Sequence, residues 1–372
     1  VKIILAFDSF KGSLSAKTAC RVVADKLRAI KPGWQVVSLP LADGGEGTAA
    51  TLVESCRGRW QVVEKVMGPL STMRFTSSYG WLPGDIAVVE MARASGLTLL
   101  DNTQRNPLLT TSYGAGQLLA AAVKAGAKRI ILTLGGSATV DAGTGAARAL
   151  GWRFLDDKGK EVPLGGGGLC RIAQLQRPKG DLPPMEVWCD VRNPLLGPEG
   201  AARVFGPQKG ADQVMVAELE EGLQHIAELV ASQLGLPFYD VPGDGAAGGF
   251  GFGARAFFDA QLVSGAHKVM GLVGLEKELE AADWVITGEG CLDEQSLQGK
   301  VVGEVTRLAQ SQSVKVAVLS GRMLLEAGRC REVGLALCEP VMTRGMNIET
   351  AMEQAESLLA AATERLLGRF DE

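Results

Sequence analysis

The chain has 372 residues, 46% of them apolar and 22% charged, with a formal charge of −4. A chain of this length buries a large core without disulfide or metal staples, and without a basic tract it is not built to bind a polyanion such as nucleic acid. The seven cysteines are odd in number and form no C-x-x-C pair. They point to a reducing cytoplasm rather than a disulfide framework or a zinc site.

The first run, VKIILAF, reads as a buried strand ended by Asp8, too short for the core of a signal peptide. SAKTACRVVADKLRAI follows as an amphipathic helix with Ala19, Val22, Val23, Leu27 and Ile30 on one face and Ser13 or Ser15 as its N-cap. QVVSLP is the next strand. MRFTSSYG, IAVVEM, RIILTLGG and EVWCDV are strand-like, with SYGAGQLLAAAVKAGA as a helix among them, and Leu219, Leu223, Ile226, Leu229 and Val230 mark a long amphipathic helix. DWVITG, VKVAVLSG and LALCEPVM are three more strands, with helical patterns in KVVGEVTRLAQ and IETAMEQAESLLAAATERLLGRF. No stretch reaches the ~18 apolar residues of a membrane span. The alternation predicts an α/β protein. A discontinuous first domain, 1–65 plus 276–372, is expected to enclose a second α/β domain, 66–275.

In a doubly wound sheet, ligands sit beyond the carboxyl ends of the strands, near the switch point. Four polar segments are expected there: DSFKGS, LADGGEGT, GEGCLDEQS and SGR. DSFKGS offers Asp8, Ser9, Lys11 and Ser13 at a helix start, where free N–H groups and a lysine suit an anion. ADGGEGT sets Asp43 and Glu46 around Gly44 and Gly45, which let a ligand approach the backbone. TGEGCLDEQSLQGK carries Glu289, Asp293 and Lys300. VWCDVRNPL sets Asp190 at a strand end, and FGPQKGA sets Lys209 in a loop. TLGGSATVDAG supplies Gly136, Ser137 and Thr139, donors suited to an oxyanion. Each has an ordinary alternative in capping or turn chemistry.

Several chemistries are excluded. No Walker-type G-x-x-x-x-G-K-[ST] occurs, and GDGAAG at 243–248 lacks both the preceding strand and the acid ~20 residues on that a dinucleotide fingerprint needs. The two histidines, His225 in a predicted helix and His267 in a predicted loop, and the absence of G-x-S-x-G argue against a hydrolase triad.

AFDSFKGSLSA, LADGGEGT, GGSAT, CDVRNPLLGPEGAARVFGPQKGA, PGDGAAGGFGFGA and ITGEGCLDEQSLQGK together, in this order and nearly end to end, resemble the bacterial glycerate kinase family that lacks a Walker motif. The resemblance implies a flavodoxin-like domain built from both chain ends and an inserted restriction-endonuclease-like domain. It implies transfer of the ATP γ-phosphoryl group to D-glycerate with Mg²⁺, giving 2-phosphoglycerate, with 3-phosphoglycerate as the alternative. Phe7, Val140, Ala142 and Cys291 depart from the family pattern, which usually has Pro, Asn, Gly and Arg there.

On this reading Asp43, Asp190 and Asp293 form the carboxylate pool for Mg²⁺ and for the substrate hydroxyl, with Asp8 beside them. Lys11 and Lys209 hold the transferring phosphoryl group. Ser9, Ser13, Gly44, Gly45, Gly136, Ser137, Thr139, Glu289 and Lys300 contact substrate or phosphate. A kinase for another small hydroxy acid, or a catalytically silent ligand sensor, are the other functions such a scaffold could serve.

Overall fold

The computed structural model describes residues 1–236, 240–297, 299–343 and 345–370. The chain forms two compact units. One comprises Val1–Asp43, Ala50–Cys56 and Ser264–Glu372; the other comprises Gly44–Ala49 and Arg57–Val263.

The first unit is built on a five-stranded sheet in the order Leu337–Pro340, Lys315–Met323, Trp284–Leu292, Lys2–Phe7, Gln35–Ser38. All neighbours are parallel. Parallel strands bury both faces, which is why these segments are near-continuous Val, Ile, Leu and Ala rather than alternating. Ile3, Leu5 and Phe7 share one face with Ile286, Ala317 and Leu319. That face is covered by Ala19, Val23 and Leu27 of helix Ala16–Ile30 and by Leu359 and Leu366 of helix Ala355–Leu367. Helix Val301–Ser311 packs on strands Trp284–Leu292 and Lys315–Met323. From Lys2–Phe7 the chain winds outward to Gln35–Ser38, and from Trp284–Leu292 it winds the other way. The switch point therefore lies between Lys2–Phe7 and Trp284–Leu292, paired from Ile3 opposite Trp284 to Phe7 opposite Gly288.

Gly288 is fixed by that pairing. The N–H of Asp8 donates to its carbonyl at 3.0 Å. A Cβ there would strike the carbonyl oxygen of Leu319 and come within 2.9 Å of the Phe7 ring. Gly288→Ala is expected to cost about 1–3 kcal/mol, the usual scale of overpacking. Urea midpoints of the parent and variant measure it, and an unchanged midpoint would show that the two strands can spread freely.

The second unit holds a six-stranded mixed sheet in the order Gln261–Val263, Met185–Trp188, Arg129–Thr133, Ile86–Glu90, Arg74–Leu82, Arg59–Met67. The first three pairings are parallel and the last two antiparallel. A separate hairpin pairs Arg153–Leu155 with Gln174–Gln176. Helices Tyr113–Lys124, Gln213–Leu234 and Ala246–Phe258 supply Leu118, Leu119, Leu223, Ile226, Phe250 and Phe257 to one core. Among the described residues no helix is long and apolar enough to cross a membrane.

Several local expectations are corrected. His267 lies in helix Gly265–Val273, which Ser264 caps, not in a loop. The pattern after Asn347 is two helices, Ile348–Glu353 and Ala355–Leu367, because Gln354 between them is not helical (φ −101°, ψ 17°). GEGCL and SGRM are not loops: they extend strands Trp284–Leu292 and Lys315–Met323, with Cys291 opposite Arg322. Glycines within them hid the strand from a propensity reading. GDGAAG opens helix Ala246–Phe258 with Ala247, Gly248 and Gly249 at positive φ. Gly248 lets the Thr139 carbonyl pass where a Cβ would stand, and its own carbonyl accepts the N–H of Ala142 at 3.1 Å.

Candidate active site

At the switch point of the first unit the carboxyl ends of the strands open a cavity of about 400 Å³. Asp8, Ser9, Lys11, Ser13, Asp43, Glu289, Asp293 and Lys300 all line it. They come from three distant parts of the sequence. Asp8 to Ser13 follow strand Lys2–Phe7. Asp43 ends the segment after Gln35–Ser38, which stays against the sheet through the bond from Leu41 N–H to the Phe7 carbonyl at 2.8 Å. Glu289 to Lys300 belong to strand Trp284–Leu292 and the turn beyond it.

DSFKGS is not a helix start. Phe10 and Leu14 form a β-bridge, helix Ala16–Ile30 begins two residues later, and Ser15 caps it by accepting the N–H of Thr18. The Ser13 hydroxyl donates to the Phe10 carbonyl at 3.0 Å. Asp8 and Lys11 are thus presented by a tight turn, not by a helix dipole.

Asp8 is 5% exposed and accepts the N–H of Ser9 at 2.6 Å. Burial, and then the negative charge of Asp43, hold its carboxyl well above the usual range. Lys11 reaches Asp43 Oδ2 at 3.4 Å, and the Asp43 charge raises its ammonium above the usual value. Lys11 is largely exposed, so this pair contributes little to stability. Glu289 is 8% exposed and raised by burial, and its Oε1 has no hydrogen-bond partner among the described residues. Asp293 is held by Ser296: its N–H donates to Ser296 Oγ, and its Oδ1 accepts the Ser296 N–H, both at 3.0 Å.

Crowded carboxylates with an orphaned buried oxygen suit a divalent cation. No group of three or more His, Cys, Asp or Glu among the described residues closes a metal shell alone.

The other candidates belong to the second unit. Gly44 and Gly47 take positive φ, and the turn they form packs against Gly135, whose missing Cβ makes room for Gly45. Gly136 (φ +72°) faces the Glu46 carboxylate. Glu90, 2% exposed, accepts the N–H of Ala49 at 3.2 Å and so fixes the end of that turn. Lys209 is 2% exposed and donates to Ser137 Oγ at 2.9 Å and to the Thr139 carbonyl at 2.7 Å. Burial pulls its ammonium down to about 7, with Asp141 acting in the opposite direction. Thr139 is fully buried, and its Oγ1 has no partner among the described residues. Asp190 lies just beyond strand Met185–Trp188 and is half-buried.

Sequence reasoning passed over Asp141. It is fully buried and accepts the Ser112 N–H and hydroxyl, both at 2.8 Å, and the Gly143 N–H at 3.2 Å. Its position inside GGSATVDAG was the available signal. Ala142 beside it adopts φ +50°, left-handed and costly for a residue with a Cβ. Arg322, Met342, Ile348 and Met352 also line the first cavity and were missed. Only SGR had drawn attention to that edge.

A model of the glycerate kinase family matches residues 3–370. The chain is 41% identical over 370 residues to a glycerate kinase of Halalkalibacterium halodurans, covering 98% of this chain and 97% of that one. It is 38% identical over 372 residues to a glycerate 2-kinase of Escherichia coli, covering 98% and 97%. A crystal structure provisionally assigned as glycerate kinase 2 from Salmonella typhimurium LT2 superposes with a TM-score of 0.85 at 39% identity, covering 100% of this chain and 98% of that one.

Proposed function

The chain belongs to the glycerate kinase family, and from that premise we propose that it transfers the γ-phosphoryl group of ATP to D-glycerate, giving 2-phosphoglycerate and ADP. The observation that carries this reading is the single cavity at the switch point, where Asp8, Lys11, Asp43, Glu289, Asp293 and Lys300 converge. In the same reading a flavodoxin-like domain, 1–65 plus 276–372, encloses a restriction-endonuclease-like domain, 66–275. The seven free cysteines support a cytoplasmic setting.

Phosphoryl transfer is catalysed by positioning and by charge stabilisation. A glycerate hydroxyl attacks the γ-phosphorus, the bond to the bridging oxygen breaks, and the hydroxyl proton passes to a carboxylate among Asp43, Asp190 and Asp293. Lys11 stabilises charge on the transferring group, and Lys300 and Ser9 help hold its oxygens. Mg²⁺, held by Asp43 and Asp293 with Asp190 as a further candidate, would neutralise phosphate charge. Ser137 and Thr139 act from their loop and Lys209 from the end of the short 3-10 helix Pro207–Lys209, not from a loop, in the second unit, with Gly44, Gly45 and Gly136 shaping the backbone there.

Glycerate offers hydroxyls at C2 and C3, and a small tilt selects between them. The assignment to C2 is supported by the glycerate 2-kinase of E. coli. ADP release is measured over a panel of hydroxy acids, with enolase present and phosphoglycerate mutase absent. D-Glycerate is expected to be preferred, with phosphoenolpyruvate formed directly. Phosphoenolpyruvate that appears only after mutase is added would move the acceptor to C3. Preference for another acid would follow from Cys291, and no ADP release with any acid would leave a silent sensor.

A further inference from the structure

We propose that the cavity of the first unit is the nucleotide site, and that its apolar wall, Met342, Ile348 and Met352, seats the purine base while Arg322 receives the phosphates. The proposal deepens the kinase reading and rests on it.

The cavity lining is of two chemical kinds. One is charged: Lys11, Lys300 and Arg322 among the carboxylates. The other is apolar: Val341, Met342, Ile348, Ala351, Met352 and Ala355. Ile348 and Met352 are 51% and 39% exposed, yet both line this concavity. They stand four residues apart on helix Ile348–Glu353, hence on one face. Ala351 beside them, and Ala355 at the start of the next helix, Ala355–Leu367, are small and leave room over that face. The helix is held by Asn347, whose Oδ1 accepts the Thr350 N–H at 2.7 Å.

An exposed apolar pair inside a charged cavity needs an occupant with one flat apolar part and one polyanionic part. D-Glycerate has no apolar part to place there, whereas a nucleoside triphosphate has both. Methionines suit a planar ring because the flexible thioether adapts to its face. The apolar wall and the charged groups are adjacent: a Cβ on Gly12 would fall 2.6 Å from Met352 Cε, so the Met352 tip lies over the turn that carries Lys11. Arg322 is exposed, and its guanidinium has no ion pair or hydrogen bond among the described residues. Its planar fork matches phosphate oxygens. At about 400 Å³ the cavity is within the range of small-ligand sites.

Titration calorimetry of the full chain with ADP and Mg²⁺, in the absence of any hydroxy acid, tests this. Met352→Glu and Ile348→Glu are each expected to weaken ADP binding about tenfold or more. Met352→Leu should bind as the parent does, and the KM for glycerate should be unchanged in all three. Arg322→Ala should weaken ADP but not adenosine. Parental ADP affinity in Glu variants whose thermal unfolding matches the parent would overturn the proposal. So would a rise confined to the glycerate KM, or a parent protein that binds no ADP. Should a Glu variant fail to fold, Met342→Ala with Met352→Ala supplies the same comparison. A chain that binds ADP through Met352 yet releases none from ATP with glycerate would keep this site and remove the kinase reading.

Discussion

Asp43→Asn and Asp190→Asn are each expected to lower kcat by at least ~10²-fold, the scale for loss of a positioned catalytic group, while leaving the fold intact. Asp43 is the hinge of the charge pattern at the switch point. It pairs with Lys11 at 3.4 Å, and after burial its charge is the largest influence raising the Asp8 carboxyl above the usual range. The amide keeps the shape and removes the charge, so both neighbours are released at once. Lys11→Met should lower kcat far more than it raises the KM for glycerate, because an interaction that strengthens in the transition state appears in kcat. Steady-state kinetics with thermal midpoints decide this. Near-normal turnover in both Asn variants would remove the two carboxylates from the mechanism, and a pure KM effect at Lys11 would make it a ground-state anchor.

Stability is expected to rise from pH 7.5 to 9.5 by up to about 1.4 kcal/mol per pH unit through Lys209 alone. Burial lowers its pKa from the ordinary 10.5 to about 7. Between those values the unfolded chain carries the proton and the folded chain does not, so folding releases a proton and raising the pH favours it. Below about pH 7 both states are protonated and the dependence vanishes. Lys209→Met should lack this slope and should be less stable above pH 8, where the neutral amine still donates to Ser137 Oγ and the Thr139 carbonyl. Urea midpoints of both proteins across this range measure the difference. Parallel curves would show that Lys209 stays charged in its buried position.

Much of the fold is legible in local pattern. VKIILAF, DWVIT and VKVAVL are runs that only a sheet buried on both faces accommodates, and they form three adjacent parallel strands. The ordered motifs identify the family because they fix backbone and charge together over the whole chain. Strand ends were less legible: glycines in GEGCL and SGR suggested loops, whereas the ladder continues to Leu292 and Met323 because the neighbouring strand supplies the hydrogen bonds. Ser13 and Ser15 looked alike as caps until the β-bridge between Phe10 and Leu14 assigned the role to Ser15.

Residue type and order by themselves determined which groups can hold charge: Asp8, Lys11, Asp43, Glu289, Asp293 and Lys300 were identifiable as acids and cations beside glycines. Only the tertiary structure decided that these six share one cavity, that Glu289 keeps an unpartnered buried oxygen, and that Ile348 and Met352 complete the wall. It also decided that Lys209 is enclosed by Ser137 and Thr139. The reason is physical: charge and propensity belong to single residues, whereas burial, a shifted pKa and the shape of a cavity arise from segments up to about 280 positions apart brought into contact by one parallel sheet.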